Sequence, residues 1–299
     1  MNHFSMELSV ACLVPALILC GYVLYKDRIE REPVGLLVLL TGAGAIAYVA
    51  SFVLQKLAIL GIDSLFAEQM QFLEDGTVIY ADEGAELMHH ILCAFVGTAL
   101  IQVCLKWLLL YLLTHRHRAF NYLYDGVVYS TMLSLGFAVT ECIVFAFQND
   151  TELVLPKLLT SIPAHLFVGV LMGWLYTMWR ARFLANGIEN MMLKARVVDQ
   201  DRIQSSAVWL ILTLIVPSIV CGGYVLAGSM QSEALTSGFI VAVYLLYGLS
   251  FIVIDQVSCN DKSCKRFLCR MIAKDHPNLT VDQIQQIVDE GVKIGDQDA

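Results

Sequence analysis

Gln102 and Lys106 stand one helical turn apart in GTALIQVCLKWLLLY, a stretch otherwise built for lipid. Glu141 and His165 stand in the next two apolar stretches of the chain. A charge at the bilayer centre costs from ~2.5 kcal/mol upward, so such groups face a partner or a water-filled cavity. The bland reading is packing glue, since hydrogen bonds between membrane helices contribute only ~0.6–2 kcal/mol each. One buried amide or imidazole fits that reading. A carboxylate, an imidazole and an ammonium on three successive spans point instead to a site where protons move and charge is stabilised.

Depth and helical phase say which of these groups can meet. Glu141 lies seven residues before Gln148, and His165 eight after Lys157. At 1.5 Å per residue both sit ~10–12 Å below the outer surface, at matching depth on adjacent helices. Gln102 lies near the midplane, and Lys106 ~6 Å further towards the cytoplasm. These two share a helix face. Ser161, His165, Gly169 and Gly173 recur every fourth residue, a small-residue face that lets the fifth span pack closely. Glu86, His89 and His90, at the outer end of the third span, form a trio that can hold a metal or simply trim the interface. Glu86 is ~160° around the helix from Gln102, so the trio is expected to be separate from Gln102 and Lys106.

The positioning elements follow from composition. The 299 residues are 58% hydrophobic and 15% charged, with a net charge of −8 and a mean hydropathy of +0.66. Soluble domains have about 25% charged residues, so this is a membrane protein. Seven segments are long and apolar enough to span a bilayer: 6–25, 34–60, 88–114, 126–147, 158–179, 207–228 and 234–255. The expected fold is all-α, a polytopic bundle of seven transmembrane helices over residues 1–255 with a tail from 256 to 299. Basic residues set its orientation. Lys26, Arg28 and Arg31 follow span one, and Arg116 and Arg118 follow span three. Arg180, Arg182, Lys194, Arg196 and Arg202 fill a basic loop near 180–205, and Lys262, Lys265 and Arg266 begin the tail. The opposite loops carry Asp63, Glu68, Glu74, Asp75, Asp82, Asp150 and Glu233, with Lys157 the lone base beside them. The N-terminus is therefore expected outside and the C-terminus in the cytoplasm.

No basic region with interleaved aromatics suggests nucleic acid. No cleaved signal peptide is expected at MNHFSMELS, which lacks a basic start. Cys12, Cys20, Cys93, Cys104 and Cys142 lie in apolar runs and read as small hydrophobes. Cys259, Cys264 and Cys269 lack zinc-site spacing. In the tail, SCKRFLCRMIAK mixes bases with apolar residues and is expected to lie on the anionic inner surface. A capping box from Thr280 to Gln283 then opens a short amphipathic helix closed by Gly291. The absence of paired repeats in the seven spans argues against a transporter.

In order along residues 24–180, three segments resemble the PrsW family of intramembrane proteases. LYKDRIEREPVGLLVLL is similar to that family's charged loop, where Glu32 and Pro33 open the second span. NYLYDGVVYSTMLSLGFAVTE resembles the segment in which Asp125 and Gly126 start the fourth span and Phe137 precedes Glu141 by four. IPAHLFVGVLMG resembles the third motif, with His165 and Gly169. The family's central motif is two adjacent glutamates followed, after two residues, by a lysine. Lys106 matches the lysine, while Gln102 and Val103 occupy the glutamate positions.

The resemblance implies a protease in a bacterial cytoplasmic (inner) membrane that cleaves the transmembrane segment of single-span proteins such as anti-sigma factors. It implies catalytic roles for Glu141, His165, Lys106 and Gln102. It also implies a divalent metal such as zinc, with His165 and Glu141 as ligands. Glu141 would be the general base or a metal ligand. His165 would orient water, bind metal or stabilise the oxyanion. Lys106 would polarise the carbonyl or pair with Glu141. With neither glutamate present, the alternative is a catalytically inactive relative acting as adaptor or substrate-binding scaffold.

Overall fold

A computed structural model of the chain describes residues 3–72, 78–149, 151–194, 205–229, 233–280 and 282–289. Glu74, Asp75, Asp150, Arg196, Arg202 and Gly291, all invoked above, lie outside the described residues. The architecture is all-α apart from one small hairpin. Helix α1 spans His3–Lys26 and α2 spans Val34–Leu65. The hairpin pairs β1 (Met70–Phe72) with β2 (Val78–Tyr80), antiparallel. Helix α3 runs from Glu83 to Thr114, widening into a π-helix over Cys93–Leu100. Helix α4 spans Asp125–Gln148, α5 Thr151–Lys194, α6 Ala207–Ser229 and α7 Glu233–Cys259. Helix α8 spans Cys264–Asp275, and a final helix α9 covers 282–289.

Six helices, α2 to α7, are long and apolar enough to cross a membrane. The described side chains of α1 form a shorter apolar helix, Leu13–Lys26. The centre of the bundle is α4 against α5: 61% and 72% of their apolar windows are buried, against 17% for α7. Lipid tails give helices no hydrophobic reason to associate, so close approach must supply the attraction. Small residues provide it. A Cβ on Gly173 would lie 2.7 Å from Val127 Cα, and one on Gly169 would lie 2.8 Å from Ser134 Cβ. Only glycine permits this spacing of α4 and α5, and that spacing brings Glu141 to His165.

Two expectations are corrected at the end of the bundle that carries the tail. Residues 180–194 are not a loop, because α5 continues without interruption to Lys194. The tail segment 264–275 does not leave its apolar face for the membrane surface. It forms α8, whose Leu268, Cys269 and Ile272 pack with Ala185, Ile188 and Met192 of α5 and with Ile284 and Val288 of α9. Beside this core, Arg182 donates to Glu189 at 3.1 Å and to Asp275, and His276 Nε2 lies 3.3 Å from Glu189 Oε1. Arg182 and Glu189, two turns apart, reach each other only if the backbone stays helical. The capping box is present, with Gln283 N–H donating to Thr280 Oγ1 at 3.4 Å and Thr280 N–H to Gln283 Oε1 at 3.0 Å.

Candidate active site

Three helices deliver one chain of polar groups. Lys106 on α3 places Nζ 3.0 Å from His165 Nδ1 on α5, and His165 Nε2 lies 2.8 Å from Glu141 Oε2 on α4. Ser161, one turn before His165, donates to the same Glu141 oxygen at 2.8 Å. Lys157, a further turn out, reaches the other oxygen, Oε1, at 2.8 Å. The matching depths inferred from sequence are realised as direct contact.

Hydrogen-bond arithmetic fixes the histidine. An ammonium can only donate, so Nδ1 facing Lys106 must accept, and the ring proton must sit on Nε2 and point at Glu141. Lys106 and His165 are 0% and 4% exposed. Phe137, fully buried, lies beneath them with its ring centroid 4.0 Å from Lys106 Nζ and 5.2 Å from the imidazole. Glu141 thus receives three donors and is held as a carboxylate. Two ammonium groups and one carboxylate leave this cluster with an excess of one positive charge.

Gln102 lines the same cavity but turns away from the chain. Its Oε1 accepts a weak bond from Cys221 Sγ on α6 at 3.5 Å. The cavity measures about 510 Å³ and is bordered by Gln102, Glu141, Lys157, His165, Cys221 and Tyr224. An apolar groove of about 470 Å³ adjoins it between α5, α6 and α7, meeting it at His165, Cys221 and Tyr224.

Comparison with known proteins places this helical bundle in a family. The signature described as PrsW family intramembrane metalloprotease matches residues 32–198, more than half of the chain. The chain belongs to the PrsW family. Among its relatives is Protease PrsW of Bacillus subtilis, 33% identical over 131 residues, which cover 44% of this chain and 51% of the relative. Protease PrsW of Geobacillus kaustophilus is 29% identical over 167 residues, covering 56% and 64%. That of Oceanobacillus iheyensis is 28% identical over 199 residues, covering 62% and 81%. The chain thus spans between half and two thirds of the length of the first two. No solved structure matches it.

Glu32 and Asp125, singled out by the sequence resemblance, lie near the α1–α2 connection and the start of α4. Glu32 accepts from Tyr129 Oη, and Asp125 Oδ2 accepts the backbone N–H groups of Asn121 at 2.8 Å and Tyr122 at 2.7 Å. Burial pushes the Glu32 carboxyl up from its usual range. Val103, beside Gln102 on α3, is wholly buried.

The metal implied by the family's description does not fit the deep site. A catalytic zinc takes three protein ligands and an open position. Here Glu141 and His165 supply two, each already hydrogen-bonded, and the ammonium groups of Lys106 and Lys157 stand where a cation's charge would fall. Sequence reasoning also missed Lys157, which reads as an outer-loop base; the signal lay in its register, two turns before His165 on one face. The outer trio divides. Glu86 and His90 approach at 3.8 Å, whereas His89 turns to Asp63 at 2.8 Å.

Proposed function

We propose that this PrsW family member is an intramembrane protease that cleaves a single-span membrane protein, of the anti-sigma-factor kind, in the bacterial inner membrane. In this reading seven helices cross the bilayer, with α1 as the first, the N-terminus outside and the tail 256–299 in the cytoplasm. The charge asymmetry of the loops supports that orientation.

The observation that carries the reading is the Lys106–His165–Glu141 chain opening onto a cavity large enough for water and a peptide bond. The apolar groove between α5, α6 and α7 receives the substrate helix, whose unwound carbonyl reaches His165. Glu141 removes a proton from water as the water oxygen bonds to the carbonyl carbon. The excess positive charge, with the Lys157 ammonium on the cavity wall, stabilises the oxyanion that forms. His165 passes its Nε2 proton to the departing amine as the C–N bond breaks, and Glu141 returns a proton to the ring.

A second reading has its own support. Gln102 and Val103 supply no carboxylate, and three donors on Glu141 make it a weak base. Under that reading the same groove holds a substrate helix without cutting it. Incubating the purified full-length chain with a single-span reporter separates the two. The protease reading expects cleavage that persists in chelator and falls ~10²–10⁴-fold in Glu141→Gln. Reporter binding without cleavage by the wild type selects the scaffold.

A further inference from the structure

At the opposite end of α3 from Lys106, a second cluster combines three kinds of metal-ligating atom. Asp63 Oδ1 lies 2.8 Å from His89 Nε2, and Cys93 Sγ lies 3.6 Å from the same nitrogen. All three donor atoms fall within 4.8 Å of one another, and among the described residues this is the only such group. We propose that Asp63, His89 and Cys93 form a zinc site that clamps α2 to α3 at the mouth of the bundle.

This goes beyond the proteolytic reading and does not depend on it. A tetrahedral zinc with bonds of ~2.0–2.3 Å separates its ligands by ~3.3–3.7 Å, and here Nε2 stands 2.8 Å from the carboxylate oxygen and 3.6 Å from the sulfur. Carboxylate, imidazole and thiolate together suit zinc better than magnesium or calcium, which take all-oxygen shells. The surroundings match a metal site as well. Tyr80 Oη lies 3.0 Å from His89 Nδ1, where it can accept the ring proton and leave the Nε2 lone pair free for metal. His89 is 8% exposed, while Asp63 and Cys93 are partly open and give an ion a way in. Phe66 packs edge-on against the imidazole with centroids 5.4 Å apart.

The backbone supplies an independent reason for a ligand here. Cys93 begins the π-helix of α3, and such widened turns are frequent at functional sites. His89 sits on the last regular turn before it. Zinc joining His89 to Cys93 would lock that junction, and with it the rotation of the later turns carrying Gln102 and Lys106. Binding displaces the Cys93 thiol proton to solvent and forms the sulfur–zinc bond; no redox change is involved.

The test uses the full-length chain in detergent, stripped with chelator and then freed of it. Calorimetric titration with zinc chloride should give one tight equivalent per chain, with affinity at least ~10-fold weaker in Cys93→Ser and in Asp63→Asn, and reduced ~10-fold or more in Tyr80→Phe. Cobalt loading should produce thiolate-to-metal charge-transfer absorption that Cys93→Ser abolishes. Glu141→Gln should bind zinc as the wild type does. Equal zinc affinity in wild type, Cys93→Ser and Asp63→Asn, or loss of zinc in Glu141→Gln, overturns the assignment. Neither readout involves cleavage, so the protease reading stands or falls separately.

Discussion

Among the described residues, Lys106 has no carboxylate in direct contact; its Nζ meets His165 Nδ1 at 3.0 Å and the Phe137 ring at 4.0 Å. A fully buried ammonium in that position needs a counter-charge nearby, and one helical turn away stands Gln102, which is neutral. Gln102→Glu is nearly isosteric and restores a carboxylate on the same helix face. If the shortage of negative charge limits the site, this variant should cleave a reporter ~10-fold or more faster than the wild type, read as kcat/KM. A rate unchanged in Gln102→Glu would mean that the glutamine is not what holds the site back. Removing the ammonium instead, in Lys106→Met, should lower kcat ~10²–10³-fold with little change in KM, because Lys106 holds the His165 proton on Nε2 for transfer to the leaving amine. Glu141, His165 and Lys106 were legible from sequence because expensive groups in apolar runs have few innocent explanations. Asp63 and Cys93 were not. Their meaning exists only once α2 and α3 are side by side, and a cysteine in an apolar run reads as a small hydrophobe.

Helices α4 and α5 hold the site by glycine contact. A Cβ on Gly173 would fall 2.7 Å from Val127 Cα, a backbone atom that cannot rotate away. Gly173→Ala should therefore destabilise the bundle by ~1–3 kcal/mol, seen as a lower thermal midpoint in detergent. Gly187, with open space where a Cβ would go, should tolerate alanine with no such loss. The span centres were legible because twenty apolar residues announce themselves. The ends were less so. Beyond residue 179 the apolar run stops, yet α5 continues because Ala185, Ile188 and Met192 find a second core against α8. The hairpin Met70–Phe72/Val78–Tyr80 was missed because three-residue strands carry too little alternation to register.

Over the whole molecule, the end of the bundle that carries the α1–α2 connection concentrates acids that the net charge of −8 only hints at. Burial, reinforced by Glu32, Asp261 and Glu30, pushes the Asp27 carboxyl up from 3.8 to about 6. A raised carboxyl pKa means that the folded chain retains a proton the unfolded chain releases. That group's contribution to stability is complete below about 3.8 and is lost as the pH rises through about 6. The thermal midpoint should accordingly fall between about pH 4 and about pH 6, and Asp27→Asn should flatten that slope and raise the midpoint at pH 7. An unaltered slope would place the titration elsewhere. Family membership and bundle architecture were readable in one dimension, since motif order and hydropathy survive without coordinates. The donor count at Glu141 was not, because Lys157 stands at the end of an apolar run and so read as a loop base.

Nitrogen NMR of histidine-labelled protein tests most directly whether Lys106, His165 and Glu141 form one hydrogen-bonded chain. The His165 signals, assigned by their loss in His165→Gln, should report a neutral ring at pH 7 with the proton on Nε2 and an unprotonated Nδ1, and Lys106→Met should perturb Nδ1 most. An imidazolium, or a ring protonated on Nδ1, would contradict the account.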